Sequence, residues 1–353
     1  MTPGQKPPAD DLAGRVTAYP APKENFNPSQ AAPEELVSFG LPLRPGAGQP
    51  LLREAWDRAF GQPIVLLPFK IERGLQELVR HRLQPRRLDA RTRARTRFEA
   101  SSNWSGAYVS PSDGQRFVQV WGMWTVPDGL KPPPPPFSGD TDKDYKVSCW
   151  VGLDGQRRYF DASLPQVGTT SILQPDGTRR AEAWVQWWAR DELGLQLVVL
   201  PMAVQPGQPV LCVLTVLGPQ EVACVVVNLG ADPITAQAVS IIPPLAALPG
   251  GGSARPSISG ATAEWVVERP RDVDLPRFEN FPDYGQARFD LCMAVQGDAP
   301  DFASVLKGQA VGLQGARDIR MFEMLTGPAR TQYISMPRKV NDHTLRVRYG
   351  GFS

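Results

Sequence analysis

AWVQWWAR, residues 183–190, is the stretch of sequence that decides the fold. In an extended strand, successive side chains point to opposite sides of the sheet. Trp184, Gln186 and Trp188 therefore share one face, whereas a valine and a third tryptophan share the other. Because both faces carry large apolar side chains, neither is ordinary solvent-exposed surface. We expect one face to pack into a core and the other to line a cleft.

A second stretch, TAEWVVERP (262–270), alternates in the same way. Glu264, Val266 and Glu268 lie on one face of the predicted strand, and only apolar side chains lie on the other. Two carboxylates on one face of a largely apolar strand are candidates for a functional site.

The rest of the chain after residue 101 has the pattern of a β-sheet protein. Short apolar runs alternate with turn sequences such as Pro175-Asp176-Gly177, and helical periodicity is nearly absent. Proline is unusually frequent, with 37 of 353 residues against a typical ~5 %. We therefore expect an all-β protein, with residues 101–353 folded as a large antiparallel sandwich.

The composition of residues 1–100 predicts a leader that is separate from the sandwich of residues 101–353. They carry 16 basic and 11 acidic residues, a net charge of +5, whereas the remainder carries 22 and 25, a net charge of −3. Leu52, Trp56 and Phe60 are spaced four apart and predict a short helix. The tract at 80–97 contains eight arginines and one acid, and is expected to be an exposed, mobile, protease-sensitive linker.

Composition excludes several classes of function. The charges nearly cancel (38 basic minus 36 acidic), which argues against a nucleic-acid-binding polycation. The two histidines and four cysteines without a CxxC motif argue against a metal or zinc site, and we expect no cofactor. No apolar run approaches the roughly 18 residues of a membrane span, and the first thirty residues have no hydrophobic signal core. Cys212 and Cys224 are expected to be buried thiols, with a disulfide left open.

Six motifs, taken in order, give the chain a resemblance to the glutamic peptidases, or eqolisins. The motifs are SSNWSGAYV (101–109), CWVGLDG (149–155), SILQ (171–174), AWVQWW (183–188), VQPGQPVLCVLTV (204–216) and TAEWVVERP (262–270). The resemblance implies a concanavalin-like sandwich of two antiparallel sheets. It also implies an acid-acting endopeptidase that hydrolyses peptide bonds in a polypeptide substrate.

By this resemblance the catalytic pair falls on Gln174 and Glu268. A carboxylate can take a proton from water and return it to the leaving amine. A neutral amide can donate an N–H to the oxyanion without becoming charged. Such a pair needs neither histidine nor a metal ion.

The remaining expected positions line the substrate cleft. The resemblance places Trp150, Asp154 and Trp184 there, and Gln186 and Glu264 share the strand faces of the expected site. Two departures stand out, because the family has a glutamate in place of Gln186 and a longer loop where 175–180 is short. Loss of that carboxylate would remove a like charge that raises the pKa of its neighbour.

PEELVSFGLPLRP (33–45) resembles the leader of bacterial relatives. The resemblance implies that this leader is removed on maturation and that the protein is extracellular, although this chain has no signal peptide. We also expect the protein to be a monomer. The alternative is a non-catalytic concanavalin-like module that binds glycan or peptide in an aromatic cleft. The two hypotheses differ in one geometric feature: in the peptidase, the Gln174 and Glu268 side chains should face each other across one concave sheet.

Overall fold

The computed structural model of the protein describes most of the chain. The described residues are 14–22, 26–72, 81–82, 98–134, 139–155, 163–189, 197–248, 250–272, 278–322 and 333–350. Strands dominate these residues, and helices are few and short.

The strands lie mainly after residue 98. They are β1 (Val16–Ala18), β2 (Val65–Leu66), β3 (His81–Arg82), β4 (Phe98–Ser101), β5 (Trp104–Val109), β6 (Arg116–Thr125), β7 (Tyr145–Leu153), β8 (Ser163–Leu173), β9 (Arg179–Ala189), β10 (Val198–Val199), β11 (Pro209–Gly218), β12 (Glu221–Asn228), β13 (Thr235–Ile241), β14 (Ala246–Ala247), β15 (Ser253–Ala254), β16 (Ala263–Glu268), β17 (Arg271–Asp272), β18 (Gln286–Gly297), β19 (Gln309–Val311), β20 (Arg317–Phe322), β21 (Tyr333–Asn341) and β22 (Thr344–Tyr349). The α-helices are α1 (Pro33–Ser38), α2 (Pro50–Phe60) and α3 (Phe302–Lys307).

Two antiparallel layers form the body of the protein. The first sheet has the order β10-β9-β8-β7-β16-β5-β20. The second has the order β13-β12-β11-β6-β18-β22. Strand β21 pairs with both β20 and β22 and so makes the two layers continuous at one side. The expected all-β antiparallel sandwich is confirmed.

The main core lies between the two sheets. Gly122 of β6 faces Val151 and Trp265 of the first sheet so closely that a Cβ at this position would clash with Val151. The indole of Trp124, two residues further along β6, donates to the Thr169 hydroxyl at 3.0 Å. The even-numbered residues in this part of β6 therefore point inward, and the odd-numbered ones point to the outer side of the second sheet.

Residues 14–22 and 26–72 of the expected leader are docked on the sandwich, and removal of the leader on maturation stays a prediction. The predicted helix is present as α2, with Leu52, Trp56 and Phe60 buried on one side. Residues 14–22 and 26–72 pack against the sandwich instead of forming a detached segment. Of the 80–97 tract, only His81 and Arg82 fall within the described residues, so its expected mobility lies outside them.

The described cysteines are all buried free thiols, as expected for Cys212 and Cys224. Burial raises the pKa of these thiols far above the usual range, which keeps them protonated and unreactive.

Candidate active site

The outer face of the first sheet, here called the site face, carries the predicted functional residues. Trp184, Trp188 and Val266 belong to a second apolar cluster that is separate from the core between the sheets. Val185 and Trp187, from the other face of β9, belong to the main core. The alternation predicted for this strand is therefore confirmed on both faces.

One row of paired residues crosses the site face. Glu264 on β16 lies beside Gly152 on β7, which lies beside Gln166 on β8, which in turn lies beside Gln186 on β9. Strands are spaced about 4.8 Å apart, so the backbones of Glu264 and Gln166 are about 10 Å apart. Because Gly152 has no side chain, no side chain of β7 separates the two long side chains, and a Cβ at this position would lie 2.9 Å from the Leu164 side chain.

The polar groups of this row are buried and incompletely satisfied. Neither carboxylate oxygen of Glu264 has a hydrogen-bond partner among the described residues, and neither does Oε1 of Gln166. The Gln166 amide donates through Nε2 to Oε1 of Gln186 at 2.6 Å. Unpaired buried polar atoms are costly, and in native proteins they concentrate where a ligand, water or reaction uses them.

The ionisation of Glu264 is strongly perturbed. Burial raises the pKa of this carboxyl well above its usual range, and the nearby Asp154 raises it further. The Thr262 hydroxyl and the Gly155 amide lie close, without forming well-aligned hydrogen bonds, and oppose part of the rise. A carboxyl shifted by desolvation, beside a second polar group, is a typical feature of an acid–base centre.

Glu268 lies on the same face in a different environment. Asn103 donates through Nδ2 to Oε1 of Glu268 at 2.8 Å, and the Trp150 indole donates to Oε2 at 2.9 Å. The ring of Trp150 is held in turn by an edge-on contact with Trp104 at 5.0 Å. Donors to both oxygens favour the ionised carboxylate and fix its position.

The neighbours of Glu268 across the sheet are hydroxyl groups. Ser148 on β7 lies beside it, and Thr170 on β8 comes next. The two hydroxyls are hydrogen-bonded at 2.8 Å, and the Trp184 indole donates to Thr170 at 2.9 Å. The predicted cleft residues Trp150 and Trp184 are therefore both on the site face, and each is anchored to a polar group.

The structure does not bring Gln174 to Glu268, which corrects the expected pairing. Gln174 follows the last residue of β8 and lies half-buried in the hairpin, where its backbone N–H donates to Thr178 O at 2.9 Å. The register places Thr170 at the level of Glu268. Gln174 is four residues further along, about 13 Å at strand spacing, and two strands away.

Hydrogen bonds within the fold occupy the Asp154 carboxylate, so it is not free to contact substrate. Its carboxylate accepts the backbone N–H groups of Ser259 (2.6 Å), Gly260 (3.1 Å) and Ala261 (2.7 Å), and the Ser259 hydroxyl at 2.8 Å. Its φ of 64° is left-handed, a conformation that Asp tolerates better than most residues. Asp154 thus fixes the turn that leads into β16 and Glu264.

Within the described ranges, no three His, Cys, Asp or Glu side chains come together in a way that would hold a metal ion. None of the helices listed above is long and apolar enough to cross a bilayer.

Comparison with models of known protein families identifies the family of the chain. The model of the Peptidase A4 family matches residues 102–332, more than half of the chain. The chain therefore belongs to the Peptidase A4 family, the eqolisins, and is a peptidase by family. No curated protein matches it.

Several solved structures resemble the chain at low identity. Scytalido-glutamic peptidase with a transition state analog inhibitor is 18% identical, with a TM-score of 0.48, over 70% of this chain and 98% of that one. SCP-B, an eqolisin in complex with the tripeptide Ala-Ile-His, is 18% identical, with a TM-score of 0.44, over 70% and 98%. Aspergilloglutamic peptidase from Aspergillus niger is 17% identical, with a TM-score of 0.40, over 58% and 99%.

Proposed function

We propose that this peptidase is an endopeptidase whose reaction centre is the row formed by Glu264, Gly152, Gln166 and Gln186. The observation that carries the proposal is the buried Glu264 carboxyl, which has no partner among the described residues and faces an amide across a glycine. The polypeptide substrate would lie along the tryptophans of the site face.

The reaction needs three functions from these side chains. The ionised Glu264 takes a proton from a water held between it and Gln166, and that water attacks the carbonyl carbon of the peptide bond. The second N–H of the Gln166 amide, which is not used in the bond to Gln186, donates to the oxyanion. The protonated Glu264 then returns its proton to the leaving nitrogen, and the bond to carbon breaks.

Glu268 is the competing candidate for the base. We assign it a positioning role, because N–H donors from Asn103 and Trp150 occupy both of its oxygens. These contacts make Glu268 a weaker proton acceptor than Glu264 and tie it to the cleft tryptophan.

Activity is expected in mildly acidic solution. The reaction requires ionised Glu264, and the pKa of Glu264 is raised by burial. The rate should therefore rise with pH beyond the range in which an ordinary glutamate, with a pKa near 4.3, has already ionised.

The test is cleavage of a denatured protein substrate between pH 2 and 7. Glu264→Gln should abolish turnover, whereas Glu268→Gln should lower it and alter substrate affinity. The reverse order of effects would transfer the role of base to Glu268.

The binding module remains the second candidate, because the site face is lined by Trp150, Trp184 and Trp188 and has Gln186 where relatives carry a glutamate. Wild-type protein that binds peptide or glycan without cleaving peptide at any pH would favour this alternative.

A further inference from the structure

Residues 14–22 and 26–72 lie on the side of the sandwich opposite to the site face. Met123 of β6 points to the outer side of the second sheet, because its neighbours Gly122 and Trp124 point inward. Its sulfur accepts a contact from the guanidinium of Arg58 on α2 at 3.6 Å. At another point of contact, the Gln49 side chain donates to Gly308 O at 2.9 Å. This part of the leader therefore covers the second sheet and not the site face of the first.

The same segment closes the free edge of the second sheet. Strand β1 pairs antiparallel with residues 239–241 of β13, and β2 pairs parallel with residues 235–236. Ile242 N donates to Arg15 O at 3.0 Å, and Leu67 N donates to Ala236 O at 2.8 Å. Without these two strands, β13 would present unpaired backbone groups, which invite aggregation.

The segment also buries apolar side chains against the outer side of the second sheet. One apolar cluster contains both sandwich residues such as Trp121 and the following buried leader residues: Val16, Leu36, Leu41, Leu52, Ala55, Trp56, Ala59, Phe60, Ile64, Leu66 and Phe69. A segment that merely shielded a cleft would not need to share an apolar cluster of this size with the sandwich.

We infer that residues 14–72 are a permanent layer of the fold and stay bound as a separate chain when the protein is cut between residues 72 and 98. The next described leader residues, His81–Arg82, pair with Arg271–Asp272, just beyond the end of β16. The inference does not rest on the proposed catalytic residues.

The test uses the full chain with a sequence-specific protease site in place of residues 88–94. After cleavage under native conditions, both fragments should elute together at the size of the uncut protein and separate only in denaturant. Elution of a folded C-terminal fragment alone would overturn the inference. A chain that resists cleavage until it unfolds would also overturn it, because its two parts would not be separable.

Two variants in the leader make the test specific. Trp56 is 1% exposed, and Trp56→Ala should raise the dissociation constant of the cut fragment by roughly two to three orders of magnitude. Val65 is 42% exposed, and Val65→Ala should leave retention unchanged. Uncut Trp56→Ala should keep the layer in place, because the covalent link gives an effective concentration of about millimolar. Equal retention of both cut variants would show that the layer is not held by its buried face.

Discussion

The two glutamates of β16 offer a matched pair of substitutions with opposite expected effects on stability. Glu264 and Glu268 lie four residues apart on the same strand and face, and both are 0% exposed. Exchange for glutamine removes the charge of either residue with almost no change in volume. The surroundings of each residue then decide whether the exchange raises or lowers the free energy of unfolding.

Glu264→Gln should stabilise the protein at pH 7. The Glu264 carboxyl has no hydrogen-bond partner among the described residues. An unpaired buried neutral group costs about 1–3 kcal/mol and a charged one more, so the neutral amide of glutamine removes the excess. Its pKa is raised in the folded state by burial, so the folded chain holds the proton more tightly than the unfolded chain. Wild-type stability therefore falls as pH rises above about 4.3, where the unfolded carboxyl ionises. The gain in the variant should be present at pH 7 and disappear near pH 3, where both states are protonated.

Glu268→Gln should destabilise the protein at pH 7. The wild-type carboxylate accepts hydrogen bonds from both Asn103 and Trp150. Glutamine has one acceptor oxygen, so one of the two buried donors would face an NH₂ group. Loss of one charge-assisted hydrogen bond and weakening of the other should cost about 2–4 kcal/mol.

Urea unfolding followed by tryptophan fluorescence at pH 7 and pH 3 measures both effects. The two variants should move the midpoint in opposite directions at pH 7, and the Glu264→Gln shift should vanish at pH 3. Midpoint shifts of the same sign at pH 7 would refute the reasoning, because the two carboxyls would then share one kind of environment.

Three further predictions concern activity and packing in the same row. Gln166→Ala should lower turnover on the order of 100-fold, as loss of an oxyanion donor does, whereas Gln174→Ala should leave the rate of substrate cleavage close to wild type. Gln186→Glu keeps an acceptor for the Gln166 amide and adds a charge, so the rising limb of the pH–rate profile should move up by about 0.8 pH unit, for charges three strand spacings (about 14 Å) apart at an effective dielectric constant of about 20. Gly152→Ala would place a Cβ 2.8 Å from Pro165 O and 3.2 Å from the Gln166 Cβ, so thermal or urea unfolding should show a loss of about 1–3 kcal/mol and the cleavage rate should fall.

The sequence predicted the fold well where the alternation of side chains within a single strand is clear. The alternation in β9 and β16 assigns each side chain to a face without reference to any other part of the chain, and both assignments are confirmed. The helix α2 was predicted for the same reason, since its apolar residues recur at helical spacing.

The docking of residues 14–72 was not predicted. Charge and proline content describe a segment as a whole, but strands of two or three residues, such as β1 and β2, are too short to show a period. Their partner is β13, more than 150 residues away along the chain. A pairing of this kind is fixed by the shape of the completed sheet, so local sequence gives no sign of it.

The choice between Gln166 and Gln174 is one that the pattern of a single strand cannot predict. The two glutamines are eight residues apart, an even number, so alternation places them on the same side of the sheet. Only the register of three neighbouring strands distinguishes them, because it places Gln166 level with Glu264 and moves Gln174 past the end of β8. One signal was present in the sequence. The connection from Gln174 to β9 is shorter than in the family pattern. The connection counted from Gln166 is eight residues longer than the one counted from Gln174. The short connection that made the expected site look incomplete thus favours the proposal of Gln166 over Gln174 as the oxyanion donor.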